Sequence, residues 1–380
     1  MKRIAMVLAV ALVVGLMPIR VMAQPTEVPA KSGVLIDAAT GTVLYEQNAH
    51  EKLAPASVTK VMTMLLIMEA IEDGRIGWDD MVTTSEAAAA KGGSQVYLKV
   101  GETMSVNDML KSIAVSSAND CACAMAEHIA GSENAFVELM NQRAVELGMT
   151  DTHFVNCTGL DDGEDAASHL TCAYDIAIMS RELLVKHPKI KEFTTIWMDT
   201  IRNGAFGLSN TNKLVRFYPG ATGLKTGFTA NAGYCLSASA QRDGMELIAV
   251  VMGSETSKDR FAACKQLLDY GFANYALITP EVQTGQVAVK LGNANLVKVT
   301  PAEDPRLLID RSQKGSVTTE VTLEETVTAP VSKGQRLGTL TVRAGEQVLT
   351  QVPMVAADPV PRLRWGQVFA MVMRKLSIGG

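Results

Sequence analysis

The chain has 380 residues, of which 47% are hydrophobic and 20% are charged, and its formal net charge at pH 7 is −5. This length predicts two or three domains, and the apolar fraction is typical of a protein that folds around a buried core. The acidic balance argues against a general nucleic-acid binder, which needs a basic face. The chain has five histidines and no H-E-x-x-H pair, so a zinc-hydrolase reaction has no support either.

The first 23 residues have the three zones of a secretory signal peptide. Lys2 and Arg3 precede an uncharged run from Ile4 to Ile19, and small or apolar residues lead to a cleavage point after Ala23. The alternative is a transmembrane helix, which needs about 20 apolar residues, and the run is shorter than that. The sequence therefore predicts a protein that is exported and works outside the cytoplasm.

Residues 24–275 predict an α+β domain, in which strands from both ends of the segment form one antiparallel sheet beside a helical lobe. A hairpin is predicted from strands at 33–37 and 42–45. Apolar periodicity predicts helices at 57–72, 87–90, 106–115, 120–129, 135–147, 173–185 and 257–275. Further strands are predicted at 221–228, 233–241 and 246–253. A cleft is expected where the sheet meets the lobe.

Residues 276–358 change in character and predict a small all-β domain, because they are rich in Val, Thr, Gly and Pro and contain several alternating runs. The tail, 361–380, predicts an amphipathic helix. Its apolar face holds Trp365, Val368, Phe369, Val372, Met373 and Leu376. Four basic residues in the tail of an acidic protein favour contact with an anionic membrane surface. The alternative is a terminal helix that packs on the β domain.

The six cysteines are few for an exported chain of this length. The sequence favours small buried thiols over a disulfide framework. A bridge between Cys157 and Cys172, which would close a short loop, stays open.

Ser57 and Lys60 form an S-x-x-K motif at a predicted helix start, where residues three apart share one face. The Ser57 hydroxyl would lie at the positive end of the helix dipole, beside unpaired N–H groups. A neutral Lys60 amine could take the hydroxyl proton if its surroundings lower its pKa from about 10.4. The alternative is that Ser57 is an ordinary N-cap, since the motif is common by chance.

A second motif, S-x-N, is formed by Ser117 and Asn119. A second hydroxyl could relay protons, and an amide could hold a substrate carbonyl. The same pattern recurs at Ser132, which precedes an apolar helix and is interpreted as a cap. A capping role is also the alternative for Ser117.

The third motif is Lys225-Thr226-Gly227, on a predicted strand. Lys225 would supply a fixed positive charge for a substrate carboxylate, and Thr226 a hydroxyl. The strand edge could hydrogen-bond an extended peptide. Gly227 would remove a side chain where substrate or the active-site helix approaches closely.

Together, S-x-x-K, S-x-N and K-T-G in this order are the signature of penicillin-recognising serine enzymes. The chain resembles the low-molecular-weight penicillin-binding proteins, serine-type D-alanyl-D-alanine carboxypeptidases of peptidase family S11. Blocks at 38–45, 54–63, 169–175 and 210–214 are also similar to the family. The resemblance implies an antiparallel sheet flanked by helices with an all-helical lobe, then a small β domain and a membrane-anchoring tail.

The resemblance also implies roles for the motif residues. Ser57 is the acyl-ester nucleophile, Lys60 the general base and Ser117 the proton relay. Asn119 holds the amide side of the substrate, a peptidoglycan stem peptide that ends in D-Ala-D-Ala. Lys225, Thr226 and Gly227 bind its end, and Phe228 offers a backbone N–H. β-Lactams are expected as covalent inhibitors, and no metal or organic cofactor is needed.

Two residues depart from the family pattern. Ala118 stands where the family often has glycine, and Phe228 stands where it often has histidine. The backbone N–H of Phe228 can still stabilise an oxyanion, but a histidine side chain has no counterpart.

Two other functions are compatible with these motifs. A β-lactamase of class A would add a glutamate for deacylation. The nearest candidate, Glu138, lies in a predicted amphipathic helix and is expected at the surface. The other alternative is a non-catalytic scaffold of a wall-building complex, with the β domain as its partner site.

Overall fold

The computed structural model describes residues 24–163, 165–282, 285–366 and 369. The chain divides between Asn274 and Tyr275 into two compact units. The predicted signal peptide, 1–23, and most of the predicted tail helix lie outside the described residues. None of the described helices is long and apolar enough to cross a membrane.

The first unit contains both strands and helices. Its strands are β1 (Ser32–Asp37), β2 (Val43–Gln47), β3 (Met81–Thr83), β4 (Thr103–Ser105), β5 (Met198–Ile201), β6 (Phe206–Ser209), β7 (Ala221–Thr229), β8 (Gly233–Arg242) and β9 (Met245–Ser254). Its helices are α1 (Lys60–Glu72), α2 (Glu86–Ala89), α3 (Val106–Ser116), α4 (Asn119–Ala130), α5 (Glu133–Glu146), α6 (Ala173–Lys186), α7 (Lys191–Thr194), α8 (Leu214–Phe217) and α9 (Ser257–Asn274). Short 3₁₀ segments include Ala56–Thr59.

Strands from both ends of this unit form one antiparallel sheet, in the order β2-β1-β9-β8-β7. Helices cover both of its faces. The Leu247 side chain lies against Gly271 of α9, whereas Ser237, the partner of Val250 in the sheet, hydrogen-bonds Ser180 of α6. Positions 247 and 250 point to opposite faces because side chains alternate along a strand. This explains why β9 is buried throughout.

Helix α1 is the central element of the helical lobe. Most of its residues are buried, and it packs against α3, α4, α5 and α6. A helix that is apolar on all sides is typical of the middle of a helical bundle. This position explains why α1 lacks the polar face of a surface helix. The antiparallel sheet and the lobe confirm the predicted α+β fold.

The second unit is built from strands. They are β10 (Tyr275–Ile278), β11 (Gln286–Lys290), β12 (Leu296–Pro301), β13 (Leu307–Asp310), β14 (Val317–Leu323), β15 (Thr326–Thr328), β16 (Arg336–Ala344) and β17 (Gln347–Ala356). Six of them form a sheet in the order β14-β16-β17-β12-β11-β15, and β10 pairs with β13. Its buried core includes Val287, Leu337, Leu340 and Met354. An all-β C-terminal domain is thus confirmed.

Three local features differ from the sequence prediction or add to it. The α-helix begins at Lys60 instead of Ser57, because residues 56–59 form a tighter 3₁₀ turn. The strand pair β3–β4 and the hairpin β5–β6 were not predicted, since strands of three or four residues are too short to show a clear alternation of apolar and polar side chains. All six cysteines are free and buried, so Cys157 and Cys172 are not joined.

Candidate active site

The turn that carries Ser57 is held in an uncommon backbone conformation. Ala56, which precedes Ser57, has φ +46°, a value that residues with a Cβ rarely adopt. Two glycines give this turn room. A Cβ on Gly159 would overlap the Ala56 carbonyl, and one on Gly227 would lie 3.1 Å from the Ser57 nitrogen. The half-buried Ser57 is therefore packed between a loop and strand β7.

Lys60 lies at the first position of α1 and is fully buried. Its Nζ is 3.0 Å from Ser57 Oγ, and it donates to the Thr158 carbonyl oxygen at 2.7 Å. Burial lowers the pKa of Lys60 from its ordinary 10.5 to about 7, because desolvation penalises the ammonium. The nearby Cys157 and Asp120 oppose this effect without cancelling it. A neutral amine in contact with a hydroxyl can act as its base.

The Thr158 carbonyl is presented by a turn built around Asn156. The Asn156 side-chain oxygen accepts hydrogen bonds from the backbone N–H groups of Thr158 and Gly159, at 3.1 and 2.6 Å. The Asn156 amide in turn donates to the Leu160 carbonyl. This contact with Lys60 was not predicted, because a backbone carbonyl leaves no signal in the residue type.

Ser117 and Asn119 lie at the junction of α3 and α4. Ser117 ends α3 in the left-handed conformation, with φ +62°, and is 4% exposed. Its hydroxyl has no hydrogen bond among the described residues, and no described contact joins it to Lys60. The interpretation of Ser132 as an N-cap is confirmed, since its hydroxyl accepts from the Ala135 N–H. Ser117 caps nothing through its side chain.

Asn119 is buried and hydrogen-bonds the segment 92–94. Its amide donates to the Gly92 carbonyl at 2.7 Å, and its backbone N–H donates to Ser94. The Asn119 side-chain oxygen is buried, and the described part of the chain offers it no partner. Such an oxygen is available to accept a hydrogen bond from a ligand.

The third motif lies on β7, which is an edge strand of the sheet. Lys225 is buried, and its Nζ donates to the Thr226 carbonyl at 2.8 Å. Burial, with smaller contributions from the charges of Lys60 and Arg260, holds the pKa of Lys225 well below its usual range. An anionic ligand would offset both effects and favour the ammonium form.

Thr211 connects the second and third motifs. Its hydroxyl accepts from the Thr226 hydroxyl at 2.7 Å, and its backbone N–H donates to the Val115 carbonyl, two residues before Ser117. Thr211 belongs to the block at 210–214 that resembles the family. This link depends on the contact between the Thr211 and Thr226 hydroxyls, which the spacing of the residues in the sequence does not reveal.

Arg260, on α9, adds a cation that belongs to none of the three motifs. Its guanidinium donates to the Gly227 carbonyl at 2.9 Å and lies 5.2 Å from the Tyr234 ring centre. Phe228 stacks on the same Tyr234 with ring centres 4.3 Å apart, and 53% of Phe228 is exposed. In the sequence, Arg260 is a basic residue in the first turn of a predicted helix. Such residues are common on protein surfaces, so this position alone does not indicate a functional role.

The described residues include one cluster of potential metal ligands, His50, Asp151 and Cys172. Its atoms already have protein partners. Asp151 lies 3.3 Å from His50 and 3.5 Å from Lys52, and the Cys172 sulfur accepts from the backbone N–H of Asp175. The cluster is therefore explained by the ion pairs of Asp151 and by Cys172 as the N-cap of α6.

The arrangement agrees with comparisons to known proteins. The D-alanyl-D-alanine carboxypeptidase family matches residues 19–256, and the C-terminal domain of penicillin-binding protein 5 matches residues 272–362. The D-alanyl-D-alanine carboxypeptidase DacF of Bacillus subtilis is 45% identical over 340 residues, which cover 88% of this chain and 86% of the relative.

Solved structures agree with the sequence relatives. Penicillin-binding protein 5 from Haemophilus influenzae has a TM-score of 0.77 and 30% identity, and the match covers 90% of this chain and 100% of that one. Penicillin-binding protein D2 from Listeria monocytogenes, solved in its ampicillin-bound form, has a TM-score of 0.60 and 32% identity, with coverage of 66% and 100%. The chain therefore belongs to the D-alanyl-D-alanine carboxypeptidase family.

Proposed function

We propose that the protein is a serine-type carboxypeptidase that removes the terminal D-alanine from peptidoglycan stem peptides through an acyl-enzyme on Ser57. The observation that carries the proposal is the contact between Ser57 Oγ and the buried Lys60 Nζ, at 3.0 Å. A lysine whose pKa lies near 7 is half neutral at neutral pH, so it can accept the hydroxyl proton.

Acylation begins when Lys60 takes the Ser57 proton and Ser57 Oγ attacks the carbonyl between the two D-alanines. The carbonyl oxygen becomes an oxyanion, which the backbone N–H groups of Ser57 and Phe228 stabilise. Loss of one such donor typically costs roughly 10²–10³ in rate. The C–N bond then breaks, and Ser117 relays a proton to the leaving amine of D-alanine.

Deacylation repeats the same chemistry with water. Lys60 takes a proton from water, which attacks the ester carbonyl, and the Ser57 oxygen leaves with a proton. The products are the shortened peptide and the free Ser57 hydroxyl. These steps consume only water, so atoms and charges balance.

Recognition of the substrate follows from the third motif and Asn119. The extended peptide lies along the outer edge of β7, which pairs with β8 on its other side and can take an added strand at this edge. Lys225 binds the terminal carboxylate with help from the Thr226 hydroxyl. The unpartnered Asn119 oxygen accepts from a substrate amide.

β-Lactams resemble this substrate and acylate the same serine, which fits a relative solved with ampicillin. Rapid hydrolysis of the β-lactam would instead favour a β-lactamase. Glu138 does not support that alternative, because it is exposed on α5. The proposal therefore predicts a long-lived penicillin adduct.

The protein works outside the cytoplasm, where peptidoglycan lies, and its tail attaches it to the outer face of the cytoplasmic membrane. The described part of the tail supports this attachment. Trp365 and Phe369, four residues apart in the sequence, are 90% and 68% exposed. Large apolar side chains in this position are suited to a membrane interface.

The experiment uses purified mature protein with diacetyl-Lys-D-Ala-D-Ala, with a stem pentapeptide and with labelled penicillin. We expect release of D-alanine and one covalent penicillin adduct, mapped to Ser57 by mass spectrometry. Ser57→Ala should abolish both signals, and Ser132→Ala, which alters a helix cap, is the matched control. An adduct on another serine would contradict the site. A folded protein that neither reacts with penicillin nor releases D-alanine would favour the scaffold alternative.

A further inference from the structure

His169 is buried beside the Ser57 turn but takes no part in the proton transfers described above. It is 4% exposed, and its Nε2 lies 2.8 Å from the Thr59 hydroxyl oxygen. Its other ring nitrogen, Nδ1, accepts a hydrogen bond from the Val155 N–H at 3.1 Å. Both ring nitrogens are therefore engaged, and their partners determine which of them carries the proton.

The hydrogen bonds run in one direction. Because Nδ1 accepts, the neutral ring carries its proton on Nε2 and donates it to Thr59 Oγ1. The Thr59 hydroxyl is then free to donate its own proton to the Ala56 carbonyl oxygen, at 2.8 Å. Burial, with smaller effects of His153 and Lys60, lowers the pKa of His169 to about 4. The ring is thus neutral near pH 7, as this direction requires.

The Ala56 carbonyl belongs to the same peptide unit as the Ser57 N–H. That peptide is trans, so its C=O and N–H point in opposite directions. A hydrogen bond that fixes the carbonyl on one side therefore fixes the N–H on the other. The positive φ of Ala56 is unfavourable, so the turn needs such support to keep this orientation.

We propose that His169, acting through Thr59, is a positioning residue that aims the Ser57 N–H at the carbonyl oxygen under attack. It touches neither the substrate nor the reacting atoms. This inference rests on the proposed function, in which that N–H stabilises the oxyanion. It predicts that loss of either hydrogen bond slows the chemical step and leaves binding of substrate intact.

Two matched pairs of variants test the inference. His169→Leu and Thr59→Val remove the hydrogen bonds, whereas His169→Gln and Thr59→Ser keep a donor or hydroxyl at each position. The measurements are kcat and KM for diacetyl-Lys-D-Ala-D-Ala and the rate of acylation by labelled penicillin. The thermal midpoint of each variant is recorded alongside.

We expect the Leu and Val variants to lose roughly 10- to 100-fold in kcat and in acylation rate, with KM within about threefold of the unmodified protein. The Gln and Ser variants should stay within about threefold in both constants. The inference is overturned if the Leu and Val variants keep their kcat, or if KM changes as much as kcat. It is also overturned if each conservative variant loses as much as its apolar counterpart, since the hydrogen bonds would then be irrelevant. An unmodified protein that neither releases D-alanine nor reacts with penicillin refutes the proposed function itself, a result distinct from all of these.

Discussion

The low pKa of Lys60 predicts the pH dependence of the reaction. The base must be neutral, so the acylation rate should rise with pH and level off above about pH 8. With its pKa near 7, half of Lys60 is neutral at pH 7. At the ordinary pKa of 10.5 the neutral fraction would be about 10³-fold smaller, so burial of the amine supplies about three powers of ten in active base.

The assay is the second-order rate of acylation by fluorescent penicillin, followed by stopped flow from about pH 5 to about pH 9. We expect a tenfold loss for each pH unit below about 6, and hence about 1% of the plateau rate near pH 5. Lys60→Arg should abolish acylation at every pH, because a guanidinium stays charged.

Protonation of a histidine could also lower the acylation rate at acid pH and produce a similar limb in the pH profile. Replacement of the exposed His128 provides a control. His128→Asn should leave the limb unchanged, and His169, with its pKa near 4, titrates too low to cause it. A rate that stays level down to about pH 5 would refute the assignment of Lys60 as the base.

Three further predictions concern substrate binding, packing and attachment. Lys225→Ala should lower kcat/KM for a peptide with a free terminal carboxylate far more than for its amide, and equal losses would show that Lys225 does not bind the carboxylate. Gly227→Ala should slow acylation, because the new Cβ would lie 3.1 Å from the Ser57 nitrogen. The control is Gly207→Ala, whose new Cβ would meet no atom within 4 Å. Equal acylation rates in the two variants would contradict this reasoning. Truncation after Leu363 should release the protein from anionic vesicles in a flotation assay and preserve tripeptide hydrolysis. A truncated protein that still floats with the vesicles would place the anchor elsewhere. Vesicle binding of the full chain should weaken with salt, because each basic residue contributes about 1 kcal/mol of electrostatic attraction to anionic lipid.

The sequence allowed accurate prediction of the elements that have long, regular patterns. Strands β7, β8 and β9 are nine or ten residues each, and the hairpin β1–β2 has a clear turn signal. The three motifs indicated candidate side chains, and Ser57 and Lys60 do lie in contact. Their roles in the reaction remain predictions that the experiments above address.

The features that escaped prediction depend on tertiary contacts. The Thr158 carbonyl contacts Lys60 through the backbone, so any residue type could serve there. Ala56 has a positive φ although it is not a glycine, so its residue type gave no signal for this conformation. Arg260 reaches the Gly227 carbonyl across 33 residues of sequence, a separation at which spacing carries no information.

The burial of Lys225 has a consequence for how a charged substrate is held. Burial, and to a smaller extent the charges of Lys60 and Arg260, keep the pKa of Lys225 well below its usual range. The carboxylate of an entering peptide acts in the opposite sense and favours the ammonium form of Lys225. The carboxylate and the ammonium form a neutral pair, so their opposite effects on the proton of Lys60 offset each other. The terminal charge of the peptide is thus neutralised inside the site, and a ligand without that charge gains no ion pair and binds less well.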